Sequence, residues 1–323
     1  MPIAPHIIIS RTDNIGDVTL TLPMATLLKQ HFPTCKISFL ARDYVASIVA
    51  SYPDIDAFVS WDRLQDLPFF KAKKALSDLQ ADTILHVFPN RQLAKLAKAA
   101  GITNRIGSSR RVYHWFTCNQ RVNFSRKNST LHEAQLNLQL LRPLGVNTRL
   151  SLRQLQQLLR LPKNTNVNNH VKGFLTEGCF NLVVHPLTNG HTPEWSLNNF
   201  KQLVQMLPRE KFAVIITGTQ KERPRLQMLL RECPQAKDAV GKLTLAELLQ
   251  LLSNANAVIA NSTGPLHLGA ALGMHAMGLY STKKGLDVLR WGPIGKQVRT
   301  VSAADIQRIE VAEVVAIIKS WQQ

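Results

Sequence analysis

Short apolar runs of strand length recur along this chain, each followed by a polar turn and a segment whose apolar residues fall at helical spacing. That alternation constrains the fold most, because strands separated by crossover helices pair in parallel. The pattern predicts strands over residues 6–10, 36–40, 57–60 and 83–88. A helix starts near Leu20, another runs over 91–100 and stops at Gly101, and residues 132–144 and 151–161 have helical spacing. Residues 162–173 are polar and Asn-rich and read as a linker. The alternation then restarts, with strands over 180–185, 212–217, 257–261 and 276–280, helices over 198–207, 223–233, 244–253 and 265–272, and a closing helix over 306–321. A chain of 323 residues exceeds the roughly 100–200 residues of one typical domain. The expectation is α/β throughout: two doubly wound parallel-sheet domains, 1–161 and 174–302, joined by 162–173, with a C-terminal helix in 303–323.

With 45% hydrophobic and 19% charged residues, the composition excludes a disordered chain. Lys+Arg 39 against Asp+Glu 21 leaves a formal charge of +18. Residues 83–132 concentrate it: Arg91, Lys95, Lys98, Arg105, Arg110, Arg111, Arg121, Arg126 and Lys127 lie there with no Asp or Glu. A one-signed surface attracts phosphate, carboxylate, nucleic acid or an anionic membrane, or it simply keeps a face solvated. No run approaches the ~18 apolar residues of a membrane span, and the first residues lack the basic and apolar regions of a signal peptide. Cys35, Cys118, Cys179 and Cys233 are far apart and read as reduced thiols. A cytoplasmic protein is expected, with at most peripheral electrostatic contact at an anionic inner-membrane surface.

Four segments at expected strand ends carry candidate chemistry. Residues 11–18 (Arg-Thr-Asp-Asn-Ile-Gly-Asp-Val) join the first strand to the first helix. Ligands of open parallel sheets sit at such carboxyl ends. Asp17 there can take a proton from an attacking hydroxyl, with Gly16 allowing close approach, or it can cap the helix. The segment lacks the G-x-G-x-x-G fingerprint of a dinucleotide site. Residues 261–273 run from a strand end into a helix, and Ser262, Thr263 and Gly264 before Pro265 suit a diphosphate at a helix N-terminus. His267 is either a phosphate or sugar contact or a core histidine. Thr188, Asn189 and Gly190, near His191, form a polar loop able to wrap phosphate. Glu222, after Thr217 and Gly218, either accepts from ribose hydroxyls or is a solvated surface group. Asp54 and Asp56 have D-x-D spacing but sit in a turn-forming context, and no His/Cys cluster has metal spacing.

Together these segments resemble the heptosyltransferase family (glycosyltransferase family 9), which extends the inner core of lipopolysaccharide. The resemblance covers essentially the whole chain. It is carried by residues 11–23, His132-Glu133 with Leu138 and Leu141, His185-Pro186, Glu194-Trp195 with Phe200, Thr217-Gly218 with Glu222, residues 240–245, and residues 262–267. It implies a GT-B fold, two Rossmann-like domains around a central cleft, with acceptor on the first and nucleotide-sugar, typically ADP-heptose, on the second. It further implies metal-free inverting transfer with no cofactor. Asp17 falls on the family's proposed general base, residues 262–264 on its diphosphate loop, and Glu222 on its ribose contact.

The expected donor contacts are therefore Thr188, Asn189, His191, Thr217, Gly218, Glu222, Lys242, Leu243, Asn261, Ser262, Thr263, Gly264 and His267. The expected acceptor contacts are Arg11, Asn14, Gly16, Arg105, Arg110, Arg111 and Arg121, gripping an anionic glycolipid. Two positions depart from the family pattern. Pro193 stands where a Lys is usual two residues before the Trp, and Asn261 stands where Asp begins the last motif. The first removes a phosphate cation that His191 can replace, the second a charge near the donor sugar. Both bear on donor identity or on whether the chain is active.

Three rival readings stay open. A related enzyme acting on a sugar nucleotide without an acceptor needs no basic acceptor face. A nucleic-acid-binding protein, for which Tyr113, Trp115, Phe116 and Phe124 supply aromatics within the basic run, leaves the four strand-end loops unexplained. The third is an inactive family member. Nucleic acid is not the expected partner, and the oligomeric state is open.

Overall fold

The computed structural model describes residues 5–322 apart from Asn128, Asn189 and His191. The chain forms two compact units, residues 1–159 and 160–323. Each holds one six-stranded, all-parallel sheet.

In the first unit the strands are β1 (His6–Ser10), β2 (Lys36–Ala41), β3 (Ala57–Ser60), β4 (Thr83–His86), β5 (Asn104–Ser108) and β6 (Gln120–Val122). Their spatial order is β3-β2-β1-β4-β5-β6. All five residues of β1 are buried, as a central parallel strand covered on both faces requires. One side of the sheet packs Trp61, Leu76, Leu93 and Leu96 against Ile8, Leu40 and Ile84.

In the second unit the strands are β7 (Phe180–His185), β8 (Phe212–Ile216), β9 (Lys237–Asp238), β10 (Ala257–Asn261), β11 (His275–Ser281) and β12 (Val298–Ala303). Their order, β12-β11-β10-β7-β8-β9, repeats the first unit's winding. Each sheet therefore has one topological switch point, between β1 and β4 and between β7 and β10.

The helix Gly264–Ala271 is buried at every residue from Pro265 onward. It lies close to its sheet because Gly269 has no side chain: a Cβ there would stand 2.5 Å from Val258 Cγ1. Gly273 has a different role, ending the turn in the left-handed region at φ +76.

Several elements differ from the sequence-based expectation. The strands β5, β6, β9 and β12 and the helices Ala46–Ala50, Trp61–Asp66, Phe69–Ser77 and Val112–Thr117 were not anticipated. The expected helix over 132–144 is a helix, Glu133–Leu138, followed by a 3-10 segment, Gln139–Leu144, that contains Pro143. The expected helix over 306–321 divides into a 3-10 turn, Ile306–Arg308, and the helix Val311–Ser320, which packs into the second unit's core. The Asn-rich stretch lies within the second unit, where it holds to one helix, Leu245–Asn254. Asn254 donates to the Asn164 carbonyl at 2.8 Å, and His170 meets Glu247 at 2.9 Å. Asn168 caps a short helix, Asn169–Lys172.

Candidate active site

At the first switch point the chain leaves β1 at Ser10 and turns into a short helix, Ile15–Thr19. Its N-cap position is Asn14, so Asp17 stands in the first turn and is not the cap. Asp17 is ion-paired with Arg11, which is itself 3% exposed. The same guanidinium reaches Asp13 at 2.7 Å, Glu133 at 3.3 Å and Asn137 at 3.2 Å. Arg126 closes the other side, meeting Glu133 and Asn137 at 3.0 Å each. Two arginines thus face three carboxylates, Asp13, Asp17 and Glu133.

Removal from water raises the Asp17 carboxyl above the ordinary range, Arg11 opposes this, and the Glu133 charge adds to it. Asp13 is pushed up to about 6, again first by burial, with Arg11 opposing and Asp17 reinforcing. A carboxylate held in place by a buried arginine, with raised basicity, is suited to accept a proton.

The other expected acceptor residues separate into two groups. Arg11 is the hub of the buried network, and Gly16 is buried in the helix. Arg105 is tied to backbone, its Nε donating to the Thr117 carbonyl at 2.8 Å and its Nη1 to the Ile102 and Thr103 carbonyls. Asn14, Arg110, Arg111 and Arg121 are exposed. Glu133, Asn137 and Arg126 were not anticipated as site residues. Their signal was the His132-Glu133 pair, where the first carboxylate follows the acid-free stretch.

At the second switch point β7 ends at His185 and β10 at Asn261. Asn261 is fully buried, and its amide clamps the loop after β7. Its Oδ1 accepts from the Trp195 backbone N–H at 3.0 Å and its Nδ2 donates to the Pro186 carbonyl. Both ends of the side chain are therefore engaged within the protein. Glu194 fixes the same loop: Oε1 accepts from the Thr188 N–H at 2.7 Å and hydroxyl at 3.0 Å, and Oε2 accepts from Arg225 at 2.6 Å. These donors outweigh the desolvation of Glu194, and its carboxyl sits below the ordinary range. Trp195 is buried edge-on to Phe200. Asn189 and His191 lie outside the described residues.

The Thr217 hydroxyl lies 3.1 Å from His185 Nδ1 and 3.2 Å from the Val184 carbonyl. The single hydroxyl hydrogen serves either the carbonyl or Nδ1, and which of the two it takes sets the His185 tautomer. Burial lowers the His185 pKa and keeps the ring neutral. A Cβ on Gly218 would meet Leu226 Cδ1 at 2.9 Å and Glu222 Oε2 at 3.3 Å, so a side chain there would have to displace both neighbours. Glu222 Oε2 accepts from the Thr219 N–H and hydroxyl in a capping box. Lys242 is exposed and pairs with Asp238 at 3.1 Å, beside the half-buried Leu243.

The helix Gly264–Ala271 begins after Thr263, whose side chain makes no cap bond. The Thr263 hydroxyl is buried and has no hydrogen-bond partner among the described residues. Ser262 is half-buried and His267 is 4% exposed, on the helix's buried surface. The uncapped turn offers backbone N–H groups, an unengaged hydroxyl and the positive end of the helix dipole, which together suit an anion. Among the described residues no group of three or more His, Cys, Asp or Glu is placed to hold a metal ion. Asp54 and Asp56 are engaged within the fold, with Thr26 at 2.6 Å and with Lys29 at 3.0 Å respectively.

Comparison with known proteins agrees with this arrangement. Residues 69–319 match glycosyltransferase family 9 (heptosyltransferase). A putative glycosyltransferase of Haemophilus influenzae is 26% identical over 298 residues, covering 89% of this chain and 86% of the relative. The crystal structure of a family 9 glycosyltransferase from Veillonella parvula superposes with a TM-score of 0.83 at 16% identity, covering 99% of this chain and 98% of that one. E. coli ADP-heptose LPS heptosyltransferase II superposes with a TM-score of 0.78 at 16% identity, covering 98% of each chain. Two Rossmann-like units of matching winding, with candidate chemistry at both switch points, make this a GT-B fold, and the chain belongs to glycosyltransferase family 9, the heptosyltransferases, as a glycosyltransferase.

Proposed function

We propose that the chain transfers heptose from ADP-heptose to the acidic inner core of lipopolysaccharide, without a metal and with inversion. The observation that carries the reading is Asp17, a carboxylate of raised basicity held by the buried Arg11 at a strand-end switch point. In the proposed reaction Asp17 takes the proton of the acceptor hydroxyl as its oxygen bonds to the anomeric carbon. The bond from that carbon to the diphosphate breaks, and ADP leaves with the electron pair. The turn at residues 262–264 stabilises the charge on the leaving group. His185, Thr188, Thr217 and the free oxygen of Glu222 are the further donor contacts proposed. Arg110, Arg111 and Arg121 are proposed to meet the phosphates of the glycolipid at the cytoplasmic face of the inner membrane. ADP-heptose as donor is supported by the family and by a solved relative named for it.

The test pairs transfer with nucleotide binding. Asp17→Ala is expected to lower transfer by about 100- to 10,000-fold while leaving ADP affinity within about twofold. Normal turnover by the variant would end the base assignment. Separate calorimetric titrations with ADP, UDP, GDP and CMP decide the donor. Pro193 in place of a phosphate cation favours a second reading, the same chemistry on another nucleotide-sugar, and selective binding of a nucleotide other than ADP would establish it.

A further inference from the structure

The helix Val112–Thr117 has its amphipathic faces reversed. Its buried positions carry polar residues, His114 at 0% and Thr117 at 7% exposure. Its outward stripe, spaced i, i+3, i+4, is Val112 at 77%, Trp115 at 58% and Phe116 at 71%. The polar atom of Trp115 is already satisfied, since Nε1 donates to the Ser109 carbonyl at 3.0 Å. What this turn presents outward is therefore apolar.

Cations surround the stripe. Lys98 Nζ donates to the Phe116 carbonyl at 2.9 Å, and the Arg121 guanidinium lies 4.6 Å from the Trp115 ring centroid. Arg110 and Arg111 are exposed at the start of the helix. The nearest carboxylate following in sequence, Glu133, is buried against Arg11 and Arg126. The neighbouring helix Arg91–Ala99 carries no acid either.

We infer that this turn is a membrane-docking wedge, which inserts Val112, Trp115 and Phe116 among the lipids of an anionic bilayer while the flanking cations meet the headgroups. The inference rests on the proposed membrane acceptor and names the surface that reaches it. Trp and Phe projecting among Lys and Arg is the composition of interfacial segments, and each cation near an anionic surface adds to the attraction. A second copy of the chain fits less well, because like-charged faces would meet. Nucleic acid fits less well, because Arg121 already covers the Trp115 ring and Val112 gives no stacking surface.

The test is flotation of the full chain with vesicles of phosphatidylcholine alone or with about one-third phosphatidylglycerol, near physiological salt. These vesicles contain neither donor nor acceptor, so the outcome is independent of transfer. The chain is expected to bind the anionic vesicles and not the neutral ones. Trp115→Ser with Phe116→Ser is expected to weaken binding at least about tenfold, with ADP affinity unchanged. Brominated lipid should quench fluorescence in the wild type and far less in Trp115→Phe. Absence of vesicle binding, or undiminished binding by the double variant, would overturn the inference. So would self-association abolished by the same substitutions, or oligonucleotide binding through Trp115 in preference to vesicles.

Discussion

Arg11 and Asp17 stand on the two sides of a single strand-to-helix turn and form an ion pair in which the arginine is almost wholly buried. The same arginine serves Asp13 and Glu133, so the charge state of Asp17 depends on how one guanidinium is shared. For a base that must be ionised to act, a raised pKa moves the acid limb of the rate profile upward. Log kcat/KM for transfer should rise with pH along a limb whose midpoint lies above the ~3.9 of an ordinary Asp. Arg11→Lys keeps one charge but lacks the fork that reaches Asp13, Asp17, Glu133 and Asn137 together, so the limb should move to higher pH. A limb unmoved in the variant would separate Arg11 from the chemistry.

His86, at the end of β4, is fully buried, and neither ring nitrogen has a hydrogen-bond partner among the described residues. Burial, with His114 and Arg105 adding repulsion, drives its pKa down to about 3. The unfolded chain therefore binds a proton that the folded one does not, and stability falls as pH drops below the ordinary value near 6.5. His86→Leu removes both the unpaired nitrogens and this linkage. It should stabilise the fold by about 1–3 kcal/mol at pH 8 and by more at pH 5, read from denaturant unfolding at the two pH values. Equal gains at both would show that the histidine protonates in place.

Asn261→Asp preserves shape but loses the donor that holds the Pro186 carbonyl, and it buries a charge. The expected cost is about 3–5 kcal/mol at pH 8. Because burial raises the new carboxyl's folded pKa, part of the stability should return as pH falls and the protonated acid donates again. Thermal unfolding of variant and wild type at pH 8 and pH 5 reads the difference.

Gly269→Ala should destabilise by about 1–3 kcal/mol although alanine is the better helix former. The added Cβ would lie 2.5 Å from Val258 Cγ1 and 3.0 Å from Met274 Sδ. The helix must then lift from β10, and ADP affinity should fall with stability because its first turn is the proposed diphosphate site. Unchanged affinity in a destabilised variant would place the diphosphate elsewhere.

The runs at β1, β7 and β10 were legible in the sequence to the residue, because central parallel strands are apolar on both faces and the hydrophobic effect marks them without reference to neighbours; the half-buried edge strand β3 was legible only as a short run, Ala57–Ser60. The loops after β1, β7 and β10 were legible as candidate sites for the same reason, since strand ends of a parallel sheet are where ligands gather. The strands β5 and β6, containing Asn104, Arg105, Gln120 and Arg121, were not. Their strand state is imposed by pairing with a neighbour, and their composition carries no such mark. The roles of the polar residues were also decided only in three dimensions. Arg11 meets Glu133 across 122 residues, and Asn261 meets Trp195 across 66. A buried guanidinium or amide must find partners wherever the fold brings them. Asn261, read along the chain as a donor-sugar contact that had lost its charge, is in the folded protein the clamp of the loop after β7. Local composition determined where the chain could place chemistry, and long-range satisfaction of buried polar groups decided which side chains were left to perform it.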